Sequence, residues 1–337
     1  MNKSTIYILS TDTNIPTGGI KQLYRHADIL NNNGFNASII HSKNNFRCTW
    51  FENDTKISYL EKTKMGTSDY LVVPEIYGEL FYDEIKIGGL NRNLKEFVSL
   101  SKNTVIFNQC CYFSFNGYSI AEDDINPFWL SNSVIATIVV SEDSRQYMHY
   151  VFPNIKTFRI HNSIDPKLFS YQHEKKKQIC FMTRKLRHDV TQVVNILKYR
   201  NSLGDFKLIP IENKTEQEVA EIMKDSLIFL SFSYEEGCPL PPMEAMMCGC
   251  LVIGYEGRGG REYFKDEFSY PIEGGDIISF AKTVEKVISC YNMDRNVFDG
   301  KRQKGSEYVR TTYSLGKETE EILRCWTEII TKSDAQG

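Results

Sequence analysis

The sequence predicts an α/β protein of two Rossmann-like domains, each built on a parallel sheet. Three observations predict it. Residues 227–254 read as strand, loop, helix and strand, the repeating unit of a parallel sheet. A second unit of this kind opens the chain between Thr5 and His41. The length, 337 residues, exceeds the usual size of one domain.

The elements follow in order. Residues 5–10 form an apolar first strand. A loop with Pro16, Gly18 and Gly19 leads to a helical pattern over about 20–32, with Leu23, Ala27, Ile29 and Leu30 at core spacing. Gly34 ends the helix, and 37–41 is the next strand. The turn lacks G-x-G-x-x-G, so it is not a dinucleotide fingerprint. Gly18-Gly19 is either a turn that only glycine allows or a point of close backbone approach to a phosphate or acceptor. Further strands are expected at 70–73, 104–107, 134–140 and 157–160. Ser141 is placed to cap the helix that follows 134–140.

The lysine-rich run YQHEKKKQ, 171–178, reads as a linker. It divides the chain into domains 1–170 and 171–315, with a terminal helix within 316–337. The second domain opens with a strand at 179–182, followed at once by Arg184, Lys185 and Arg187. Cations there would steady the charge gathering on a diphosphate leaving group; the plain alternative is a solvated basic turn. Residues 216–226 form an amphipathic helix with Val219, Ile222 and Met223 inward.

Glu236 and Glu244 stand eight positions apart between the strand at 227–231 and the strand beginning at Cys250. Glu236 falls in the loop, and Glu244 in the first turn of a helix that Gly249 ends. A carboxylate's two acceptor oxygens match a diol or a row of sugar hydroxyls. Backbone N–H groups at a helix start favour a phosphate. Together they suit a nucleotide sugar. Gly237, Pro239, Pro241 and Pro242 stiffen the loop. The alternative is that Glu244 only favours the helix end and Glu236 is solvated.

The run EGCPLPPMEAMMCG resembles the signature of retaining glycosyltransferases of family 4, whose usual form is E-G-F-G-L-P-x-L-E-A-M-A-x-G. Glu236, Gly237, Leu240, Pro241, Glu244, Ala245, Met246 and Gly249 match. Cys238 and Pro239 replace Phe-Gly. The resemblance implies the GT-B fold, with the two sheets facing a central cleft. It implies that Glu236 holds donor-sugar hydroxyls and Glu244 the nucleotide ribose, with Gly237, Cys238, Pro239 and Leu240 lining the donor. Gly18 and Gly19 would face the cleft. Arg184 and Lys185 would take the family's Arg and Lys, though here they are adjacent. The segment 161–169 is similar to the family's N-G-V-D-x-x-x-F, with Asn162, Asp165 and Phe169 matching in a structural role. Gly259-Gly260-Arg261-Glu262 is one residue shorter than the family's G-G-x-x-E, and reads as a ligand loop or a structural turn. The cleft histidine common in the family is missing from 107–113, where Asn108 and Gln109 would hydrogen-bond the sugar instead or serve equally as turn residues. The terminal helix would return to the first domain.

Composition excludes little. Charge is balanced, 40 Lys+Arg against 43 Asp+Glu, so no global basic field argues for nucleic acid as a partner. Nine cysteines without a C-x-x-C pair read as free, mostly buried thiols. No signal peptide and no membrane-spanning run is apparent, which predicts a cytoplasmic protein with peripheral membrane contact left open. There is no D-x-D; Glu122-Asp123-Asp124 comes nearest and reads as a polar loop. No metal and no cofactor is expected. The reading is a retaining glycosyltransferase that takes a sugar from a UDP or GDP sugar to a glycan or other hydroxyl acceptor. Two alternatives stay open: another nucleotide-sugar enzyme such as an epimerase, and a non-catalytic GT-B subunit.

Overall fold

The computed structural model describes residues 4–78, 89–116, 118, 120–121 and 128–336. It falls into two compact units, residues 1–160 with 318–337, and residues 161–317. Glu122, Asp123 and Asp124 lie outside the described residues.

The first unit holds strands β1 (Ile6–Leu9), β2 (Ala37–His41), β3 (Ile57–Tyr59), β4 (Tyr70–Pro74), β5 (Thr104–Asn108), β6 (Val134–Val139) and β7 (Thr157–Arg159). They form one sheet in the order β3-β2-β1-β4-β5-β6-β7 with every neighbour parallel. β2, β4 and β5 are buried along their whole length, as strands covered on both faces must be. Helices α1 (Gly18–Asn32), α2 (Gly89–Ser99) and α3 (Glu142–Val151) connect them. In α1, Ile20, Leu23, Tyr24, Ala27 and Leu30 recur at helical spacing and are buried. Ser141 caps α3 as expected, its hydroxyl accepting the Ser144 N–H at 3.2 Å.

The terminal helix, Leu315–Gln336, contributes most of its length to this unit. Trp326 is fully buried and meets Tyr70 edge to face, with ring centres 5.8 Å apart. Its indole N–H donates to Nε2 of buried His26 at 2.7 Å. That bond needs a neutral imidazole, and burial pushes the His26 pKa down to about 3.

The second unit holds β8 (Lys176–Met182), β9 (Lys207–Ile211), β10 (Ser226–Ser231), β11 (Leu251–Tyr255) and β12 (Ser269–Ile272). Their order is β12-β11-β10-β8-β9, again all parallel. Helices α4 (Arg187–Tyr199), α5 (Glu216–Asp225), α6 (Leu240–Met247), α7 (Ile277–Met293) and α8 (Asp299–Thr312) cover both faces. Alternation along the strands sorts the cores. Ile179, Phe181, Leu251 and Ile253 join α4 and α7, whereas Cys180, Phe229 and Val252 join α5 and α6.

Two expectations are corrected here. The boundary lies at 160, not 170, because Ile164 and Phe169 are buried in the second core beside Met243 and Met246. Residues 171–178 are not a loose linker. β8 starts at Lys176, and the Lys175 ammonium donates to Met223 O, Lys224 O and Cys248 O at 3.0, 2.7 and 2.7 Å. These carbonyls end α5 and α6, where a cation suits the helix dipoles. Buried Arg302 adds bonds to Gly249 O, Gln172 O and His173 O at 2.7, 2.9 and 2.8 Å. The carboxyl end of α6 is thereby fixed. All nine cysteines are free, and seven of them are buried. Among the described residues no helix is long and apolar enough to cross a membrane.

The His26 pKa sets a pH dependence. A depressed folded pKa contributes stability that is present above the unfolded value near 6.5 and lost as pH falls toward 3. Relative to His26→Gln, the wild type should lose about 2 kcal/mol of unfolding free energy between pH 6.5 and 5, measured by urea titration. A constant difference across that range would show that His26 is not held neutral.

Candidate active site

In an open parallel sheet the loops beyond the carboxyl ends of the strands bind ligands where the strand order reverses. In the second unit that point lies between β8 and β10. The loop after β8 carries Arg184 and Lys185, and the loop after β10 carries Glu236. The Lys185 ammonium and the Glu236 carboxylate form an ion pair across the point of reversal. Lys185 is half exposed and Glu236 one-fifth exposed, so the pair faces solvent. One carbonyl-end position further out, the Thr183 hydroxyl bonds the carboxylate of Glu212, which follows β9. Arg184 and Arg187 are also exposed at this edge.

The Glu236 loop is fixed by its neighbour after β11. Glu236 N–H donates to Gly257 O at 2.9 Å, and Gly259 N–H donates to Glu236 O at 3.0 Å. A Cβ on Gly259 would sit 1.8 Å from Gly237 O, and one on Gly257 would sit 2.9 Å from Ser233 Cβ. These glycines serve close packing of two loops. Glu262 likewise has a structural partner, its Oε1 accepting the Tyr313 hydroxyl at 2.6 Å. Tyr263 OH holds the loop tip by donating to Pro239 O at 2.5 Å.

α6 starts at Leu240, four residues ahead of Glu244, which therefore stands in the second turn and not the first. Proline pre-sets the first-turn backbone, which explains the early start. The same prolines weaken the phosphate-binding reading of the helix end. Pro239, Pro241 and Pro242 have no N–H, so within 239–242 only Leu240 supplies one. Glu244 is half-buried, on the helix whose far end Lys175 and Arg302 clamp.

Backbone strain collects at this edge. Among the described residues the non-glycine positive φ angles fall on Asn45, Asn201 and Asn213, which tolerate them, and on Leu186, Glu235 and Arg258, which do not. Leu186 follows Lys185, Glu235 precedes Glu236, and Arg258 lies between Gly257 and Gly259. Arg258 has φ 66° and ψ −71°, and Gly259 N–H donates to Gly257 O at 2.9 Å across it. That is a γ-turn with a positive central φ, a strained form. Each such residue costs about 1–3 kcal/mol, and such strain concentrates at functional sites. Arg258 stands as a non-glycine residue in an otherwise glycine-rich turn, the one local sequence sign of its position.

Residues 207–304 match the family model described as Glycosyl transferases group 1. This segment holds Glu236, Glu244 and Arg258. The chain is a glycosyltransferase of the EC 2.4 class. An alpha-1,6-glucosyltransferase of Actinobacillus pleuropneumoniae serotype 7 (strain AP76) is 23% identical over 328 residues, covering 93% of this chain and 92% of that protein. Sucrose-phosphate synthase from Thermosynechococcus elongatus superposes with a TM-score of 0.69 at 12% identity, covering 98% of this chain and 100% of the other. Anabaena HepE in complex with UDP and glucose gives 0.65 at 12% identity, covering 96% and 100%. The fold is GT-B, with two Rossmann-like parallel-sheet units.

In the glycosyltransferase's first unit the strand order reverses between β1 and β4. Gly18 and Gly19 begin α1 there, and a Cβ on Gly19 would meet the Gln109 amide at 3.0 Å. Gly19 thus makes room for Gln109, whose N–H donates to Glu75 Oε2 at 2.9 Å. Glu75 is buried at the end of β4. Desolvation lifts its pKa to about 7, against the pull of the backbone N–H groups it accepts. Asn108 does not face this edge. It is fully buried, its Nδ2 donating to Ser114 Oγ at 3.0 Å, so it packs where Gln109 is partly exposed. The loop leading to Gly18 is strapped down by Asp12, which bonds His41 Nδ1 at 2.9 Å and the Lys43 N–H at 2.8 Å. His41 in turn meets Tyr24 OH at 2.6 Å.

The Gly259 contact is testable. Gly259→Ala should displace the Glu236 loop and reduce transfer activity by at least about 100-fold, a misplacement effect. Gly300→Ala, where an added Cβ meets nothing within 4 Å in helix α8, should leave activity intact and shift stability by no more than about 1 kcal/mol. Equal activity of the two variants would remove the loop contact from the account.

Proposed function

We propose that the chain is a retaining glycosyltransferase of family 4 that moves a sugar from a nucleoside diphosphate sugar to a hydroxyl acceptor without a metal. The observation that carries this reading is the Lys185–Glu236 pair across the β8/β10 reversal, on the edge of a group 1 domain. The pair supplies a cation for a diphosphate and a carboxylate for sugar hydroxyls. A half-exposed ion pair is worth only about 0–1 kcal/mol, so a donor can part it at little cost. The diphosphate then takes Lys185, with Arg184 beside it, and the sugar hydroxyls take Glu236. Glu244 binds the ribose from α6, and Gly237, Cys238 and Leu240 line the donor.

Loop strain and the clamped helix support this role, because both hold the carboxylates in place before a ligand arrives. In the reaction the bond from the sugar's anomeric carbon to the diphosphate oxygen breaks, and its electron pair stays on that oxygen. The acceptor hydroxyl forms the new bond on the same face and gives its proton to the departing phosphate. Cations steady the leaving group, and positioning supplies most of the remainder.

A UDP sugar is the first donor to try, since HepE was solved with UDP and glucose. The acceptor is a glycan or another hydroxyl compound, with Gln109 and the Gly18-Gly19 turn as its candidate contacts in the first unit. Nucleic acid is not favoured by the balanced charge. A cytoplasmic location, with or without peripheral membrane contact, is part of the proposal.

Glu236→Ala, Glu244→Ala and Lys185→Ala should each lower kcat/KM for sugar transfer by about 100-fold or more, a loss of roughly 3 kcal/mol of transition-state binding. Circular dichroism and thermal melting should match the wild type. Full activity in folded Glu236→Ala or Glu244→Ala would sink the reading.

A further inference from the structure

Three adjacent strands of the second unit end on the same edge. β8 leads to Lys185, β10 to Glu236 and β11 to Arg258. Lys185 is already partnered by Glu236. Arg258 is exposed, and its backbone bridges that of Glu236 in parallel register. The γ-turn at Arg258 is a conformation in which glycine is at ease and arginine is strained. Gly257 and Gly259 beside it have a packing reason to be glycine, since their Cβ atoms would strike the Glu236 loop. The side chain of Arg258 has no such reason to be there. Packing would be served equally well, and with less strain, by a third glycine.

We infer that Arg258 is a diphosphate-binding residue of the donor site, displayed by the strained turn beside Glu236. This rests on the donor-site reading above. The chemistry favours arginine: a planar guanidinium binds two phosphate oxygens at once and always carries its charge. Arg258 follows β11, which lies on the opposite side of β10 from β8 and Lys185. Two cations then flank the group that gains charge as the glycosidic bond breaks. The loop hydrogen bonds that fix Glu236 fix the Arg258 backbone too, so hydroxyl recognition and charge stabilisation share one scaffold.

The test compares wild type, Arg258→Gly and Arg258→Asn by calorimetry with UDP, GDP, ADP and CDP, then with the monophosphate of whichever binds. Thermal melting runs alongside. Arg258→Gly should raise Tm by a few degrees through relief of the turn. It should still weaken diphosphate binding at least about 10-fold, and monophosphate binding less than about 2-fold. Arg258→Asn, which keeps a non-glycine residue in the strained turn and lacks the charge, should lose diphosphate affinity to the same extent. Unchanged diphosphate binding in both variants, with the wild type binding normally, would overturn the role of Arg258 and leave the donor site standing. Failure of the wild type to bind any of the four nucleotides would overturn both.

Discussion

Gly259 lies so close to the Glu236 loop that one added carbon would sit 1.8 Å from Gly237 O. The second unit's candidate donor edge depends on this contact. Backbone bonds in both directions fix Glu236 beside it, and Arg258 makes a γ-turn between Gly257 and Gly259. The loop tip is held by Tyr263. Nothing flexible intervenes, because both sides of the contact are backbone. The glycosyltransferase therefore presents its acidic loop in a nearly finished geometry, which would lower the ordering cost of binding the proposed donor.

The same logic extends behind the loop. α6 carries Glu244 and is held at its far end by Lys175 and Arg302, whose donors occupy the helix-end carbonyls. Its near end is stiffened by prolines. Rigid positioning and a row of strained residues, Leu186, Glu235 and Arg258, occur on one edge of one sheet. The strain is a stability loss that the two cores of this unit offset through the burial of their apolar side chains.

Much of this was legible in the sequence. β2 was read to the residue, and β1, β4, β5, β6, β10 and β11 to within two, because each is a short apolar run closed by polar or glycine residues. The acidic signature was legible because its prolines and glycines constrain the loop locally. Other features depend on partners far away in the chain. His26 and Trp326 meet across 300 positions, and no local pattern announces them. Lys175 looked like one more linker lysine until three helix-end carbonyls surrounded it. Asn108 and Gln109 are neighbours of similar chemistry, and only the strand's alternation buries the first and partly exposes the second. Nothing local in the sequence marks Glu75, an acid that follows a proline. The start of α6 was missed because its first turn is mostly proline, which ends helices more often than it opens them.

The central claim is that a nucleoside diphosphate sugar seats on the β8/β10/β11 edge and parts Lys185 from Glu236. The most direct test is a crystal structure with UDP-glucose, or with the nucleotide sugar found to bind best. The account predicts the diphosphate against Lys185 and the sugar hydroxyls on Glu236, with the ion pair opened and the 257–260 loop unmoved. A donor bound elsewhere, or one bound with Lys185 still on Glu236, would contradict it.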